Sequence, residues 1–288
     1  MKKKIIIVVI IILAFFSLKM FKQGIEIDSK AALLMDAKTG EILFEQNAKT
    51  AYPVASMSKL MSELIVLEQI EQGNIHWDDH VLLSETANEV EAYAVTVAIP
   101  AGTYITVRDL FKAMVITSAN NATIALSEHI AGSEQQFTNL MNEKARELGL
   151  SKGARFVNAT GLPIESLREQ HNQMSAKDVG KLTYYLLQNY KEEVLDISSR
   201  KQDQILSQQL NLVSTNRLLG NGQANWQVDG LKTGFTDAAG YCFVSTAYQE
   251  NKRLISVIMD AKDDEMRFME TEKLLSFGFT KEKNKNGQ

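Results

Sequence analysis

The stretch from Tyr52 to Met61 constrains the fold most, because it sets a serine and a lysine at the start of a long apolar periodicity. Apolar side chains recur there at the spacing of a buried helix face: Met57, Leu60, Met61, Leu64, Ile65 and Ile70. Gly73 stands where a glycine commonly ends a helix. Residues three apart share one helix face, so the Ser56 hydroxyl and the Lys59 amine are predicted to lie close together. A serine beside an amine on an apolar helix is the arrangement of an activated nucleophile.

Two later tripeptides decide between this arrangement and a chance pairing of a capping serine with a solvated lysine. Ser118-Ala119-Asn120 lies between two helical patterns, and Lys232-Thr233-Gly234 follows a strand-like run at 228–231. The ordered combination of Ser-x-x-Lys, Ser-x-Asn and Lys-Thr-Gly is typical of penicillin-binding proteins and β-lactamases. Each tripeptide alone is a weak signal, whereas the ordered set strongly indicates that catalytic site.

With these motifs in place, the chain resembles the serine-type D-alanyl-D-alanine carboxypeptidases, the low-molecular-mass penicillin-binding proteins. The resemblance also rests on residues 31–43, 118–134 and 228–241, and it covers roughly residues 31–278. It implies a mixed α/β fold of the β-lactamase and penicillin-binding transpeptidase type, with an antiparallel sheet packed against helices and an inserted helical lobe. Strands near both ends of the region, with helices between them, favour the same arrangement.

Local patterns predict the individual elements of this fold. Period-two runs predict strands at 31–36, 41–47, 227–233, 240–248 and 253–260. Besides the Ser56 helix, capping patterns at Thr106, Ser133 and Ser175 predict the starts of three helices. We expect a closing helix at 264–277, a single catalytic domain over residues 23–280 and a polar tail at 281–288.

The chemistry of acyl transfer assigns roles to the motif residues. Lys59 has to be neutral to take the proton from Ser56, and burial or a nearby cation such as Lys232 lowers the pKa of a lysine. Ser118 is placed to relay a proton to the leaving amine. Asn120 is expected to hold Lys59 and the substrate amide through the donor and acceptor ends of its side chain.

The third motif is predicted to bind the end of the substrate. Lys232 and Thr233 offer a charge and a hydroxyl to a terminal carboxylate, and Gly234 allows the substrate backbone to approach the strand. The resemblance implies that Arg267 lies near the carboxylate-binding end, with an exposed helix arginine as the alternative. It also implies an oxyanion hole formed by the backbone N–H groups of Ser56 and Phe235, where some relatives have a histidine in place of Phe235.

The N-terminus is predicted to direct the chain to a membrane. Lys2, Lys3 and Lys4 precede an uncharged, almost entirely apolar run at 5–18, which is typical of a signal sequence. We expect residues 1–22 to be a signal anchor or a cleaved signal peptide, with the rest exported. The enzyme would then act outside the cytoplasm, attached to the cell membrane or secreted to the cell envelope.

Other site classes find little support in the sequence. The net charge of −4 does not favour nucleic acid as a partner. His76 and His80 are four residues apart, but they lack the glutamate and the third ligand of a zinc motif, so we predict no metal and no cofactor. The single cysteine, Cys242, excludes an internal disulfide and lies in a strand pattern typical of a buried small side chain.

The resemblance therefore implies a carboxypeptidase that removes the terminal D-Ala from peptidoglycan stem peptides and that β-lactam antibiotics inhibit covalently. A D,D-endopeptidase of the same family is the main alternative. A class A-like β-lactamase is less favoured, because residues 165–169 do not supply its Glu-x-x-Leu-Asn signature. A non-catalytic binding module is disfavoured by the complete set of motif residues.

Overall fold

The computed structural model describes residues 25–164, 170–220 and 225–283. The predicted targeting segment at 1–22 lies outside the described residues, as does the predicted tail beyond residue 283. Among the helices of the described part, none has both the length and the hydrophobicity needed to cross a bilayer.

The described residues form a mixed α/β structure, as predicted. In chain order, the strands are β1 (Ala31–Asp36), β2 (Ile42–Gln46), β3 (Ala51–Pro53), β4 (His80–Leu82), β5 (Tyr104–Thr106), β6 (Gln173–Ser175), β7 (Gln202–Ile205), β8 (Leu210–Val213), β9 (Gln227–Thr236), β10 (Gly240–Gln249) and β11 (Lys252–Ala261). The α-helices are α1 (Lys59–Glu71), α2 (Glu85–Asn88), α3 (Val107–Lys112), α4 (Asn120–Ala131), α5 (Glu134–Glu147), α6 (Ala176–Asn189), α7 (Lys191–Ser198) and α8 (Asp264–Lys283).

A five-stranded antiparallel sheet joins the two ends of the fold. Its strand order is β2-β1-β11-β10-β9, so the first strand pairs with the last, with Ala31 opposite Met259. Alternate side chains of β1 enter two different apolar clusters, because successive residues of a strand point to opposite faces. Leu33 belongs to the cluster that the inserted helices share, whereas Leu34 belongs to the cluster that includes α8. The predicted antiparallel sheet with packed helices is thus confirmed.

The helical lobe is built around α1. Its first ten residues, from Lys59 to Glu68, are all buried, and the helix packs against α4, α5 and α6. The predicted caps at Thr106, Ser133 and Ser175 are present, since each side chain accepts a hydrogen bond from the N–H three residues later. Gly73 adopts a left-handed φ of 71° just beyond α1, as expected of a glycine that ends a helix.

The structure departs from the predicted elements in several places. Ser56 lies in a 3₁₀ turn, Ala55–Ser58, that precedes α1, and the helix from Val107 changes to π-helical geometry at Ala113–Thr117. Helix α7 and the β7–β8 hairpin were not predicted, and α8 extends six residues past the predicted end at 277. The first two departures both border the candidate site, where irregular helical geometry is common.

Candidate active site

Ser56 and Lys59 meet at the start of the helical lobe. Strand β3 leads into the 3₁₀ turn that carries Ser56, and Lys59 is the first residue of α1. The Lys59 Nζ lies 2.9 Å from the Ser56 Oγ. The predicted contact is therefore present although Ser56 is not α-helical, because side chains three residues apart are also superposed in a 3₁₀ turn.

Lys59 is enclosed by oxygen atoms. Besides Ser56, its Nζ lies 2.8 Å from the Asn120 Oδ1 and 2.8 Å from the Thr160 backbone oxygen. Those two carbonyl oxygens can only accept hydrogen bonds, whereas the serine hydroxyl can also donate one. A neutral Lys59 amine therefore donates to both carbonyls and presents its lone pair to the Ser56 hydroxyl, which is the geometry of a general base.

The environment of Lys59 favours this neutral form. The side chain is only 1% exposed. Burial lowers the pKa of Lys59 well below its usual value, and the positive charge of Lys232 lowers it further, against a smaller opposing effect of Glu134. A lowered pKa of this kind is what a lysine needs in order to act as a base.

The second motif lies where the π-helical turn meets α4. Ser118 adopts a left-handed φ of 65°, which is uncommon for a serine and costs roughly 1–2 kcal/mol. Asn120 is held to the neighbouring loop because both its backbone N–H and its side-chain amide donate to the Val95 carbonyl, at 2.8 and 3.0 Å. The strained backbone at Ser118 turns the chain so that Ser118 and Asn120 both line one cleft with Ser56.

The third motif forms the opposite wall, on the edge strand β9. A Cβ on Gly234 would lie 2.8 Å from the Val54 oxygen and 3.2 Å from the Ser56 nitrogen, so only glycine lets β9 approach the nucleophile turn this closely. Gly234 thus has a packing role between protein segments, beside its predicted role toward substrate.

Lys232 and Thr233 have different environments on this strand. Lys232 is buried, its Nζ donates to the Thr233 carbonyl at 3.2 Å, and burial lowers its pKa to about 7, with Arg267 adding to the effect and Glu63 opposing it. The Thr233 Oγ1 lies 2.6 Å from the Thr215 Oγ1. Thr233 and Thr215 both line the cleft, so they offer it a pair of hydroxyls.

Arg267 and Phe235 lie at the same end of the cleft. Arg267 is 8% exposed, so the alternative of an exposed helix arginine is wrong. It donates to the Gly234 carbonyl at 3.3 Å and forms an ion pair with Asp264. Phe235 is 48% exposed at the rim, and its ring centroid lies 4.3 Å from that of Tyr241.

The cleft between these walls has a volume of about 640 Å³. Most of the predicted site residues line it: Ser56, Ser118, Asn120, Thr233, Gly234, Phe235 and Arg267. Lys59 and Lys232 lie buried behind the lining. The structure therefore assembles the predicted residues in one place, and their individual roles stay predictions.

Sequence reasoning missed several residues at the cleft or behind its walls. Thr215 belongs to no motif and reaches the site only because the chain after β8 packs against β9. Glu134 accepts a hydrogen bond from the Ala159 N–H and so supports the loop whose Thr160 carbonyl binds Lys59. Glu63 carried a usable signal, because an acidic side chain on the core-facing side of an apolar helix is rare.

Clusters able to hold a metal ion are absent from the part of the chain that the structure describes. Comparisons with known proteins agree with the motif assignment. The family model described as D-alanyl-D-alanine carboxypeptidase matches residues 18–263. The D-alanyl-D-alanine carboxypeptidase DacC of Escherichia coli is 33% identical over 92% of this chain and 64% of its own length, so the chain spans less than two thirds of that relative.

Two further proteins are similar to this chain. The D-alanyl-D-alanine endopeptidase of Escherichia coli is 29% identical over 86% of this chain and 76% of its own length. Penicillin-binding protein D2 of Listeria monocytogenes, solved in a cefotaxime-bound form, superposes with a TM-score of 0.80 at 37% identity. That alignment covers 90% of this chain and 100% of the Listeria chain.

Proposed function

This chain belongs to the D-alanyl-D-alanine carboxypeptidase family, and we propose that it removes the terminal D-Ala from peptidoglycan stem peptides through an acyl-enzyme on Ser56. One observation carries the proposal: the Ser56 hydroxyl faces the cleft 2.9 Å from the amine of the buried Lys59. A carboxypeptidase that forms an acyl-enzyme needs such a nucleophile and base pair beside a carboxylate-binding wall.

The reaction proceeds in two halves. Lys59 takes the proton of Ser56 as the serine oxygen attacks the carbonyl carbon of the penultimate D-Ala, and the N–H groups of Ser56 and Phe235 stabilise the oxyanion. The proton then passes from Lys59 through the Ser118 hydroxyl to the nitrogen of the departing D-Ala, so that Lys59 is neutral again as the peptide bond breaks. Water then attacks the serine ester, the ester bond breaks, and Ser56 recovers its proton.

Two groups of the substrate, its terminal carboxylate and an amide, are bound so that they orient the scissile bond. The terminal carboxylate meets the hydroxyl of Thr233 in the positive field of Lys232 and Arg267, since an unpartnered carboxylate is costly to desolvate. The side chain of Asn120 faces the cleft and binds the substrate amide while it holds Lys59. A β-lactam presents a similar carboxylate and a reactive amide, so β-lactams acylate Ser56 as well.

The direct test is release of D-Ala. Purified protein is incubated with a pentapeptide muropeptide, and the loss of one D-Ala is followed by mass spectrometry. Ser56→Ala should release none and should not be labelled by a fluorescent penicillin. Ser127→Ala is the matched control, because this buried serine of α4 donates a hydrogen bond to the Ile124 carbonyl of its own helix. An adduct located on a residue other than Ser56 would refute the assignment.

An endopeptidase is the second candidate, favoured by the similarity to the Escherichia coli D-alanyl-D-alanine endopeptidase. Cross-linked muropeptides carry the scissile D-alanyl bond within the cross-link, so cleavage there need not present the same free carboxylate to Thr233. A competition between a pentapeptide and a cross-linked dimer separates the two activities. Faster cleavage of the dimer would replace the carboxypeptidase assignment.

The same site needs access to the cell wall, so we place the enzyme outside the cytoplasm, held at the membrane by its N-terminal segment. Support comes from the sequence alone: three lysines at 2–4 are followed by fourteen residues without a charge at 5–18. Fractionation with an antibody tests this location. Protein in the medium with a new N-terminus near residue 23 would show cleavage instead of anchoring.

A further inference from the structure

The cleft contains one acidic side chain that the proposed reaction does not use. Among the described residues that line the cleft, Asp237 is the only carboxylate, whereas the opposite part of the lining carries the positive charge of Arg267. Asp237 is exposed, and in the described part of the chain no residue forms an ion pair or a hydrogen bond with its side chain. The cleft therefore presents a cation to one part of a ligand and an unpaired anion to another.

The turn that Asp237 begins does not depend on its carboxylate. This turn joins β9 to β10, and its hydrogen bonds come from the Ala239 N–H, which donates to the Thr236 carbonyl at 3.1 Å and to the Thr236 hydroxyl at 3.2 Å. Phe235 and Tyr241 are paired across the two strands on either side of the turn. The Asp237 side chain is thus free to act on a ligand.

The proposed reaction sets the direction in which a peptide lies on this wall. Strand β9 is at one edge of the sheet, and an extended peptide can add to such an edge. The terminal carboxylate is proposed to lie at Thr233, and the scissile carbonyl of the preceding residue at the Phe235 N–H. The peptide therefore runs antiparallel to β9, and its earlier residues extend past Phe235 toward Asp237.

The side chain that reaches Asp237 belongs to the residue before the D-Ala pair. An extended chain advances about 3.3–3.6 Å per residue, so Asp237 lies about 7 Å beyond Phe235. The residue before the D-Ala pair lies one step beyond the scissile bond, and the flexible four-carbon stem of a lysine-like side chain covers the remaining distance. An ammonium at the end of that stem meets the Asp237 carboxylate.

We propose that Asp237 binds a side-chain ammonium on the residue before the D-Ala pair, so that the enzyme prefers stem peptides in which this amine is free. The inference rests on the proposed function, which sets the direction of the peptide. A cross-link joins the D-alanyl carbonyl of one stem to an amine of another stem, and the acylated amine carries no charge. Asp237 therefore favours stems whose own amine has not been acylated.

Two peptides that differ in this charge test the inference. They are Nα-acetyl-L-Lys-D-Ala-D-Ala and its Nα,Nε-diacetyl form, and kcat/KM for D-Ala release is measured with the wild type and with Asp237→Asn. The variant should lose about twofold to fivefold on the peptide with the free amine, as expected for an exposed ion pair, and little on the diacetyl peptide. The loss on the free amine should shrink at high salt, which screens exposed charges.

A charge reversal and a matched control make the test specific. Asp237→Lys should disfavour the free amine and prefer a peptide whose lysine Nε carries a succinyl group, which ends in a carboxylate. Glu272→Gln removes an exposed acid of α8 that does not line the cleft, and it should leave the ratio between the peptides unchanged. Labelling of each variant by a fluorescent penicillin confirms that the nucleophile is intact.

The outcomes separate this inference from the proposed function. An equal effect of Asp237→Asn on both peptides would overturn the inference, while D-Ala release by the wild type upholds the function. If the wild type releases D-Ala from neither peptide, the proposed function fails, and calorimetric binding of the two peptides to Ser56→Ala then tests Asp237. Tighter binding of the free amine, lost when Asp237→Asn is added, would support the inference, and equal binding of the two peptides would overturn it.

Discussion

At the scale of single residues, the charge state of Lys59 decides whether Ser56 can react. The lysine is surrounded by three oxygens and is nearly fully buried, so its position is fixed by hydrogen bonds and only its proton is free to change. This separates two explanations of the site, a base that accepts the serine proton and a fixed cation that stabilises negative charge.

Lys59→Arg distinguishes these two roles. The guanidinium keeps a positive charge but does not lose its proton near neutral pH, so acylation by a labelled penicillin should be nearly abolished. The measurement is the second-order rate of labelling, with a thermal melt to confirm folding. Acylation at close to the wild-type rate would show that Lys59 acts as a charge and not as the base.

Thr233 is predicted to bind the substrate carboxylate, and its hydroxyl also contacts that of Thr215. Thr233→Val keeps the shape of the side chain and removes the hydroxyl. Reaction with a D-Ala-D-Ala peptide should weaken by about 1.5–3 kcal/mol, the range for a hydrogen bond to a charged group. The kcat/KM values of both proteins are measured with the acid and with its C-terminal amide.

The two substrates and two proteins form a double cycle, which isolates the interaction between hydroxyl and carboxylate. The amide should react poorly with the wild type and lose little more in the variant. An equal loss for acid and amide would mean that Thr233 does not bind the carboxylate, and the endopeptidase assignment would gain support.

At the scale of elements, features that depend on neighbouring residues could be predicted from the sequence. Features that depend on contacts between distant residues could not. The caps at Thr106, Ser133 and Ser175 could be predicted because each depends on a hydrogen bond to an N–H only three residues away. The β7–β8 hairpin was missed, because Gln202–Ile205 is largely polar and shows no apolar alternation. Helix α7 was missed because a single residue, Tyr190, separates it from α6, with no glycine or proline between the two helices.

The same contrast holds for the site. The ordered motifs located Ser56, Lys59 and Asn120, because the reaction fixes those residue types. Thr215 was not predicted, since its contact with Thr233 joins residues 18 positions apart in the chain. The 3₁₀ turn at Ser56 was also beyond prediction, because the close approach of β9 to this turn is a tertiary contact.

One capping serine also connects an element to the site. The Ser175 Oγ accepts from the Asp178 N–H at 3.1 Å while Asp178 accepts from the Ser175 N–H at 3.0 Å. Burial alone would raise the pKa of Asp178, but hydrogen bonds from Ser175 and Ser151 lower it overall. Ser175 also pairs with Ala51 in the ribbon of β3 and β6, and β3 leads into the turn of Ser56.

Ser175→Ala should therefore destabilise the fold by about 1 kcal/mol, the usual cost of losing a capping side chain. The measurement is the free energy of unfolding in urea. Folding lowers the pKa of Asp178, so the ionised carboxylate stabilises the fold above its unfolded-state pKa, and this stabilisation is lost as the pH falls. The free energy of unfolding of Ser175→Ala should therefore depend less on pH than that of the wild type. Ser276→Ala, at an exposed position inside α8, is the control and should change stability little. A cost as small as that of the control would show that the cap does not stabilise α6.

At the scale of the whole molecule, the N-terminal and C-terminal segments of the described chain are in direct contact. Strand β1 lies between β2 and β11, and Glu270 of α8 accepts hydrogen bonds from the backbone N–H of Asp28 and from the N–H and hydroxyl of Ser29. Glu270 is fully buried, so these donors are what compensates its desolvation. The segment just before β1 is therefore bonded to α8, and the domain boundary predicted at residue 23 lies before this segment.

Two truncations test this boundary. Removal of residues 1–22 leaves the Glu270 contacts intact and should give a soluble protein that a fluorescent penicillin still labels. Restoring residues before position 23 should not change its free energy of unfolding. Removal of residues 1–30 deletes the donors to Glu270 at Asp28 and Ser29. Because one hydrogen bond to a charged group contributes about 1.5–3 kcal/mol, the shorter protein should be less stable by at least that amount. Urea unfolding of both proteins measures the difference, and Glu270→Gln in the longer protein should reproduce only part of the loss. Equal stability of the two truncated proteins would show that the fold begins at β1 and that Glu270 does not tie the N-terminal segment to α8.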